Sequence, residues 1–163
     1  MEYHLIKNVL TKDQRKYMIK ESIPLLKSWK GREGLIFPGK QTGATLYSNP
    51  KFEPFINRML ELVYKRTGLV LEVSKSWVNW TNGSKKDMVW HSHPCEYSLV
   101  YYMKTPLPFF SNGTLFREGL FKAQQNSMII FPGDREHTAP SSPFRFGRYS
   151  LAMELNMGNR ALT

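Results

Sequence analysis

The chain of 163 residues has one cysteine, Cys95, so no intrachain disulfide can form and a reducing compartment is expected. No apolar run approaches the eighteen or so residues that a membrane-spanning helix needs. The start, Met1-Glu2-Tyr3-His4, has neither the charged nor the apolar region of a secretion signal. A cytoplasmic protein is the expectation, and Asn79-Trp-Thr81, Asn82-Gly-Ser84 and Asn112-Gly-Thr114 carry no weight as glycosylation sites. Repeats, low-complexity stretches and a convincing linker are all lacking. Acidic residues are scarce, 13 against 23 Lys and Arg, which gives a net charge of +10. The lysines are scattered, as in Lys7, Lys12, Lys16 and Lys20, and only Lys85-Lys86 are adjacent. That pattern fits a solvated surface with weak attraction to anionic partners. No zinc-finger, helix-turn-helix or RNA-binding signature is present.

The apolar share is 41%, and the length fits one domain, so residues 1–163 are expected to form a single unit with a sizeable core. Thr11-Lys12-Asp13-Gln14 opens a helix with a capping-box pattern. Tyr17, Met18, Leu25, Leu26 and Trp29 continue it past a kink at Pro24. A second helix over about Phe52 to Arg66 buries Phe55, Ile56, Met59, Leu60 and Val63 and stops at Gly68. From Leu69 the pattern changes to short strands, with candidates at 70–80, 87–93, 97–103, 114–123, 126–131 and 144–156. Helices followed by antiparallel strands predict a mainly β, cupin-like double-sheet jelly roll, with residues 1–68 as helical support and 69–157 as the core. Residues 31–49, with four glycines and a proline, are the expected mobile segment and a candidate lid.

Three of the four histidines stand in one informative order: Trp90-His91-Ser92-His93-Pro94, then Phe131-Pro132-Gly133 through His137, then Arg148-Tyr149-Ser150. Two imidazoles two residues apart on a strand share a face, so His91 and His93 can hold one metal ion. The apolar run Ser127 to Phe131 ends at a Pro-Gly turn just ahead of His137, as expected of a buried strand that delivers a third ligand. Such a facial set leaves the opposite side of a metal open. Arg148 follows eleven residues later, with room for a turn and a returning strand. Its guanidinium fits a carboxylate bidentately, and Ser150 lies on the same face.

These residues, together with Trp77-Val78-Asn79, Ser98-Leu99-Val100-Tyr101-Tyr102, Gly113-Thr114-Leu115-Phe116 and Asn156, resemble the 2-oxoglutarate and Fe(II)-dependent oxygenases. The likeness is to the short subgroup of bacteria and tailed phages, and it covers about residues 70 to 157. The resemblance implies a double-stranded β-helix, Fe(II) as cofactor, and 2-oxoglutarate and O2 as co-substrates. It also implies release of succinate and CO2 as a C–H bond of a prime substrate is hydroxylated. Metal binding falls to His91, His93 and His137, and the co-substrate pocket to Arg148, Ser150, Tyr102, Asn79 and Leu115, with Tyr102 expected on the distal carboxylate. Most of the superfamily carries His-x-Asp or His-x-Glu. His93 stands where that carboxylate would be, so bound iron would keep one more positive charge. Glu96, three residues on, is the alternative to His93 as the ligand that completes the metal site, and otherwise a candidate partner for an imidazole N–H. A peptide, a nucleobase or another small molecule would leave these motifs unchanged as prime substrate. Two other readings use the same residues differently: a cupin-type metalloenzyme without 2-oxoglutarate, which has no need of Arg148, and a non-catalytic binding or phage structural protein.

Overall fold

The computed structural model describes residues 3–28, 39–81, 89–107, 111–140 and 147–158. Helix α1 spans Lys12–Ser22 and begins in the expected capping box. The Gln14 N–H donates to Thr11 Oγ1 (3.1 Å), and the Gln14 side chain accepts from the Thr11 N–H (2.9 Å). It does not run on past Pro24. Proline has no N–H and cannot extend the helix, so the chain tightens into a 3-10 turn at Ile23–Leu25 and then turns extended. Trp29 lies outside the described residues. Helix α2, Glu53–Thr67, buries Ile56, Met59 and Val63, and it ends at Gly68, whose φ of 75° suits glycine.

Among the described residues there are ten strands: β1 His4–Ile6, β2 Lys27–Ser28, β3 Gly39–Gln41, β4 Leu71–Thr81, β5 Tyr97–Lys104, β6 Ser111–Phe116, β7 Gly119–Ala123, β8 Ser127–Pro132, β9 His137–Thr138 and β10 Arg148–Met157. Seven form an antiparallel sheet in the order β1-β8-β5-β10-β4-β3-β2, and three form a second sheet, β7-β6-β9. Each long strand of the large sheet serves two layers, because side chains alternate. Leu99, Tyr101, Met103, Met128, Ile130, Leu151, Met153 and Leu155 pack with Met18, Phe52, Ile56, Met59 and Val63 of the helical side. On the other face Tyr102, Ile129 and Phe131 meet Phe116, Phe121 and Ala123 of the small sheet. This is the double-stranded β-helix expected from the sequence.

Three expectations need correction. The strand expected at 114–123 is a hairpin, β6 and β7, reversing at Arg117-Glu118 ahead of Gly119 (φ 148°). Among the described residues of the 87–93 candidate, only His91 makes a β-bridge, to His137, while residues 87–88 lie outside the description. Half of the candidate lid is a wall of the sheet. β3 pairs with β4, Thr42 N–H donates to Val78 O (3.0 Å), Ser76 N–H donates to Ala44 O (2.9 Å), and Leu46 is buried. Backbone groups paired in this way do not leave a free loop. Residues 31–38 of that segment fall outside the described residues, as do 144–146 of the last strand candidate.

Candidate metal and co-substrate site

His137 opens β9 after the turn that ends β8, and the segment carrying His91 and His93 is laid beside it by backbone hydrogen bonds. His91 N–H donates to His137 O (3.0 Å), His137 N–H to His91 O (2.9 Å), and His93 N–H to Gly133 O (2.8 Å). Gly133 makes this approach feasible: a Cβ there would stand 2.2 Å from the Cys95 carbonyl oxygen. The sequence logic of one shared face is thus realised by an extended segment with bridge pairing rather than by a regular strand. The three histidines bring one ligand atom each to within 4.8 Å of one another.

The tautomers follow from the partners. His91 Nδ1 lies 2.9 Å from Val89 O, and His137 Nδ1 lies 2.9 Å from Arg135 O. Carbonyl oxygens only accept, so both rings carry a proton on Nδ1, which leaves Nε2 as the atom that can face a metal. His93 Nδ1 lies 3.0 Å from Glu154 Oε1, with the same consequence. Burial, reinforced by the neighbouring imidazoles, pushes His137 down to about 3. Burial, then His91 and Lys75, pushes His93 down to about 4. Neutral rings with Nε2 free are the form that binds a metal cation.

The cluster opens onto a cavity of about 480 Å³ between the two sheets. Arg148, Ser150, Ala152 and Glu154 enter it from alternate positions of β10, facing Thr114 of β6 and Thr138 and Ala139 beyond His137. Trp77 and Asn79 of β4 and Gln41 of β3 complete a polar wall, where the Gln41 amide donates to Asn79 Oδ1 (2.7 Å). Arg148 Nη1 donates to Gly113 O (2.7 Å), which ties the two sheets together at this end. Although the residue keeps some exposure, its Nε is out of solvent contact, and burial lowers its pKa.

Of the expected co-substrate residues, Arg148, Ser150 and Asn79 line the cavity; Tyr102 and Leu115 do not. Tyr102 is fully buried behind Thr114. Its hydroxyl is 2.6 Å from Thr114 Oγ1, and burial pushes it up to about 12. Leu115 is turned away because Thr114 and Phe116 hold the inward face of β6 and period two leaves the other to it. Glu96 does not touch an imidazole: its carboxylate accepts from the Met157 N–H, and its N–H donates to Asn156 Oδ1. The imidazole partner is Glu154, which the sequence reading passed over. The signal was available, since residues 148, 150, 152 and 154 share one face by alternation.

No family model and no curated protein matches the sequence. Solved structures do match the fold. The α-ketoglutarate-dependent non-heme epimerase SnoN of nogalamycin biosynthesis superposes with a TM-score of 0.72 at 11% identity, over 94% of this chain and 76% of its own. The viral collagen prolyl hydroxylase of Paramecium bursaria Chlorella virus-1, solved with 2-oxoglutarate, gives 0.67 at 13% over 95% of both chains. HygX of Streptomyces hygroscopicus, solved with nickel and 2-oxoglutarate, gives 0.67 at 11% over 94% and 82%. The chain has the fold of these three proteins. The likeness extends through the N-terminal third, for which the sequence offered no parallel.

Among the described residues no helix is long and apolar enough to cross a membrane.

Proposed function

We propose that the chain is an Fe(II)- and 2-oxoglutarate-dependent oxygenase acting as one catalytic domain, and that it hydroxylates a C–H bond of a prime substrate. The observation that carries this reading is the donor set: three imidazoles, each with Nδ1 held by an acceptor so that Nε2 can face a metal, gathered at the end of a cavity that also takes in a guanidinium. His91, His93 and His137 would hold the metal. Bound Fe(II) with 2-oxoglutarate and O2 would supply the oxidising chemistry, releasing succinate and CO2.

Arg148 would grip the distal carboxylate of 2-oxoglutarate, because a buried carboxylate needs a partner and the guanidinium offers two parallel donors. Ser150 adds a hydroxyl from the next inward position of β10, and Asn79 an amide from its register partner on β4. Tyr102 acts one step back, holding the Thr114 hydroxyl that lines the cavity. Exclusion of water on substrate binding would strengthen each of these contacts.

Hydroxylation is the reaction that the motif resemblance supports, and membership of the bacterial and phage subgroup rests on His91-Ser92-His93-Pro94. Structural neighbours include an epimerase, a carbocyclase and a prolyl hydroxylase complexed with a peptide fragment; HygX was solved with hygromycin B. A peptide or a small molecule is therefore the substrate class to screen first. Candidate substrates would be incubated with the Fe(II)-loaded protein, and succinate followed by mass spectrometry. Substrate-coupled succinate supports the reading. Turnover of a substrate without any succinate would favour a cupin-type metalloenzyme that has no use for Arg148.

A further inference from the structure

Glu154 sits on β10 with 6% of its surface exposed, on the same face of the strand as Arg148. A carboxylate so placed is costly unless a donor meets it, and the donor here is His93 Nδ1 at 3.0 Å. The strand is shaped at this point. The register of β10 with β4 runs Glu154 opposite Lys75 and then Leu155 opposite Val73, so Ser74 is an extra residue, and its hydroxyl donates to Glu154 O (3.2 Å). Bulges of this kind re-aim side chains next to functional sites. His91 and His137 are oriented by backbone carbonyls, which carry no net charge; His93 alone is oriented by an acid.

Resting on the metal reading above, we propose that Glu154 is the positioning residue of the site: it orients His93 with Nε2 toward the metal and supplies, one hydrogen bond away, the negative charge that three imidazoles lack. Most of the resembled enzymes place a carboxylate on the metal itself. This chain sets a histidine at that position and a buried carboxylate directly behind it, so the charge of the site as a whole returns to that of two histidines and an acid. The hydrogen bond also makes the imidazole a stronger donor, and outer partners of this kind commonly carry about 10–100-fold of metal affinity.

The test uses Co(II) binding, followed by calorimetry on the full chain, with Glu154→Gln in two backgrounds. Glutamine keeps the shape and an acceptor oxygen but removes the charge. With His93 present, Glu154→Gln should weaken Co(II) binding about 10-fold or more. With His93→Asp the acid is on the metal and there is no imidazole for Glu154 to orient, so the same change should cost clearly less. An equal loss in both backgrounds, or no loss in either, overturns the proposal and leaves the histidine site standing. Failure of the wild-type protein to bind Co(II) overturns the histidine site and this proposal with it. A second measurement needs no variant: nitrogen-15 NMR of the metal-free wild-type protein at neutral pH should find His93 protonated on Nδ1. Protonation on Nε2 overturns the proposal.

Discussion

On the helix side of the seven-stranded sheet, β10 presents Leu151, Met153 and Leu155, all essentially out of solvent. On the cavity side it presents Arg148, Ser150, Ala152 and Glu154. One strand thus carries a conventional apolar core on one face and a charged, hydrogen-bonded site on the other, with nothing but side-chain alternation to separate them. The favourable free energy comes from the first face. Apolar burial against α1 and α2 stabilises the sheet, and that stability allows the opposite face to bury the Glu154 carboxylate and the His137 imidazole and to half-bury Arg148, each at a cost. The two faces should therefore fail in different ways.

The largest effect on folding is expected from the helix side. Leu151→Ala should lower unfolding free energy by about 2–5 kcal/mol, as for other buried leucines. Its metal affinity, measured at a temperature where the variant is folded, should remain near wild type. A loss of metal binding matching the loss of stability would show that the faces are not independent. The cavity side should do the reverse. His137→Ala should weaken Co(II) or Fe(II) binding by about 10-fold or more, because losing a ligand costs at least as much as losing an outer partner. In the metal-free protein at neutral pH it should cost less stability than Leu151→Ala, since what is lost is the ring's contact with Phe131 and its hydrogen bond to Arg135 O.

Acidity sharpens the contrast further. Burial holds the folded pKa of His137 near 3 and of His93 near 4, below the ordinary 6.5. Between those limits the unfolded chain binds more protons, so stability falls as pH falls through that window and is fully present above about 6.5. Thermal melts of the metal-free protein should show this loss between about pH 6.5 and 4, and His137→Ala should shrink it. An unchanged profile would mean that the imidazoles are not shielded as described. The smallest effect is expected remote from both faces: Thr11→Ala removes the α1 cap and should cost about 1 kcal/mol with metal binding unaltered.

Much of this architecture was legible in the sequence because it depends on periodicity and local chemistry. The capping box at Thr11, the stop at Gly68 and the long strands β4, β5, β8 and β10 all announce themselves. The grouping of His91, His93 and His137 was legible from spacing and motif. What escaped depends on contacts between distant segments. β1 and β2 are too short to carry a pattern and exist because β8 and β3 offer them edges. The hairpin at Arg117-Glu118 has only Gly119 to mark it. Tyr102 was placed on the correct face of β5, but its hydroxyl is taken by Thr114, a partner on another sheet. Glu154 lies in an otherwise largely apolar strand, and the bulge opposite it and the ring of His93 explain its presence.

In the proposed function the histidines and Arg148 meet on one co-substrate, and calorimetry of 2-oxoglutarate binding under anaerobic conditions tests that link. Metal-loaded wild-type protein should bind 2-oxoglutarate. Metal-free protein should bind it far more weakly, and metal-loaded Arg148→Ala should bind it roughly 30-fold or more weakly, in keeping with about 2–5 kcal/mol for truncating one partner of a buried charge pair. Arg148→Lys should recover only part of the loss, since an ammonium cannot make the two-pronged contact. Absence of binding by the metal-loaded wild-type protein, or equal binding by Arg148→Ala, would contradict the account.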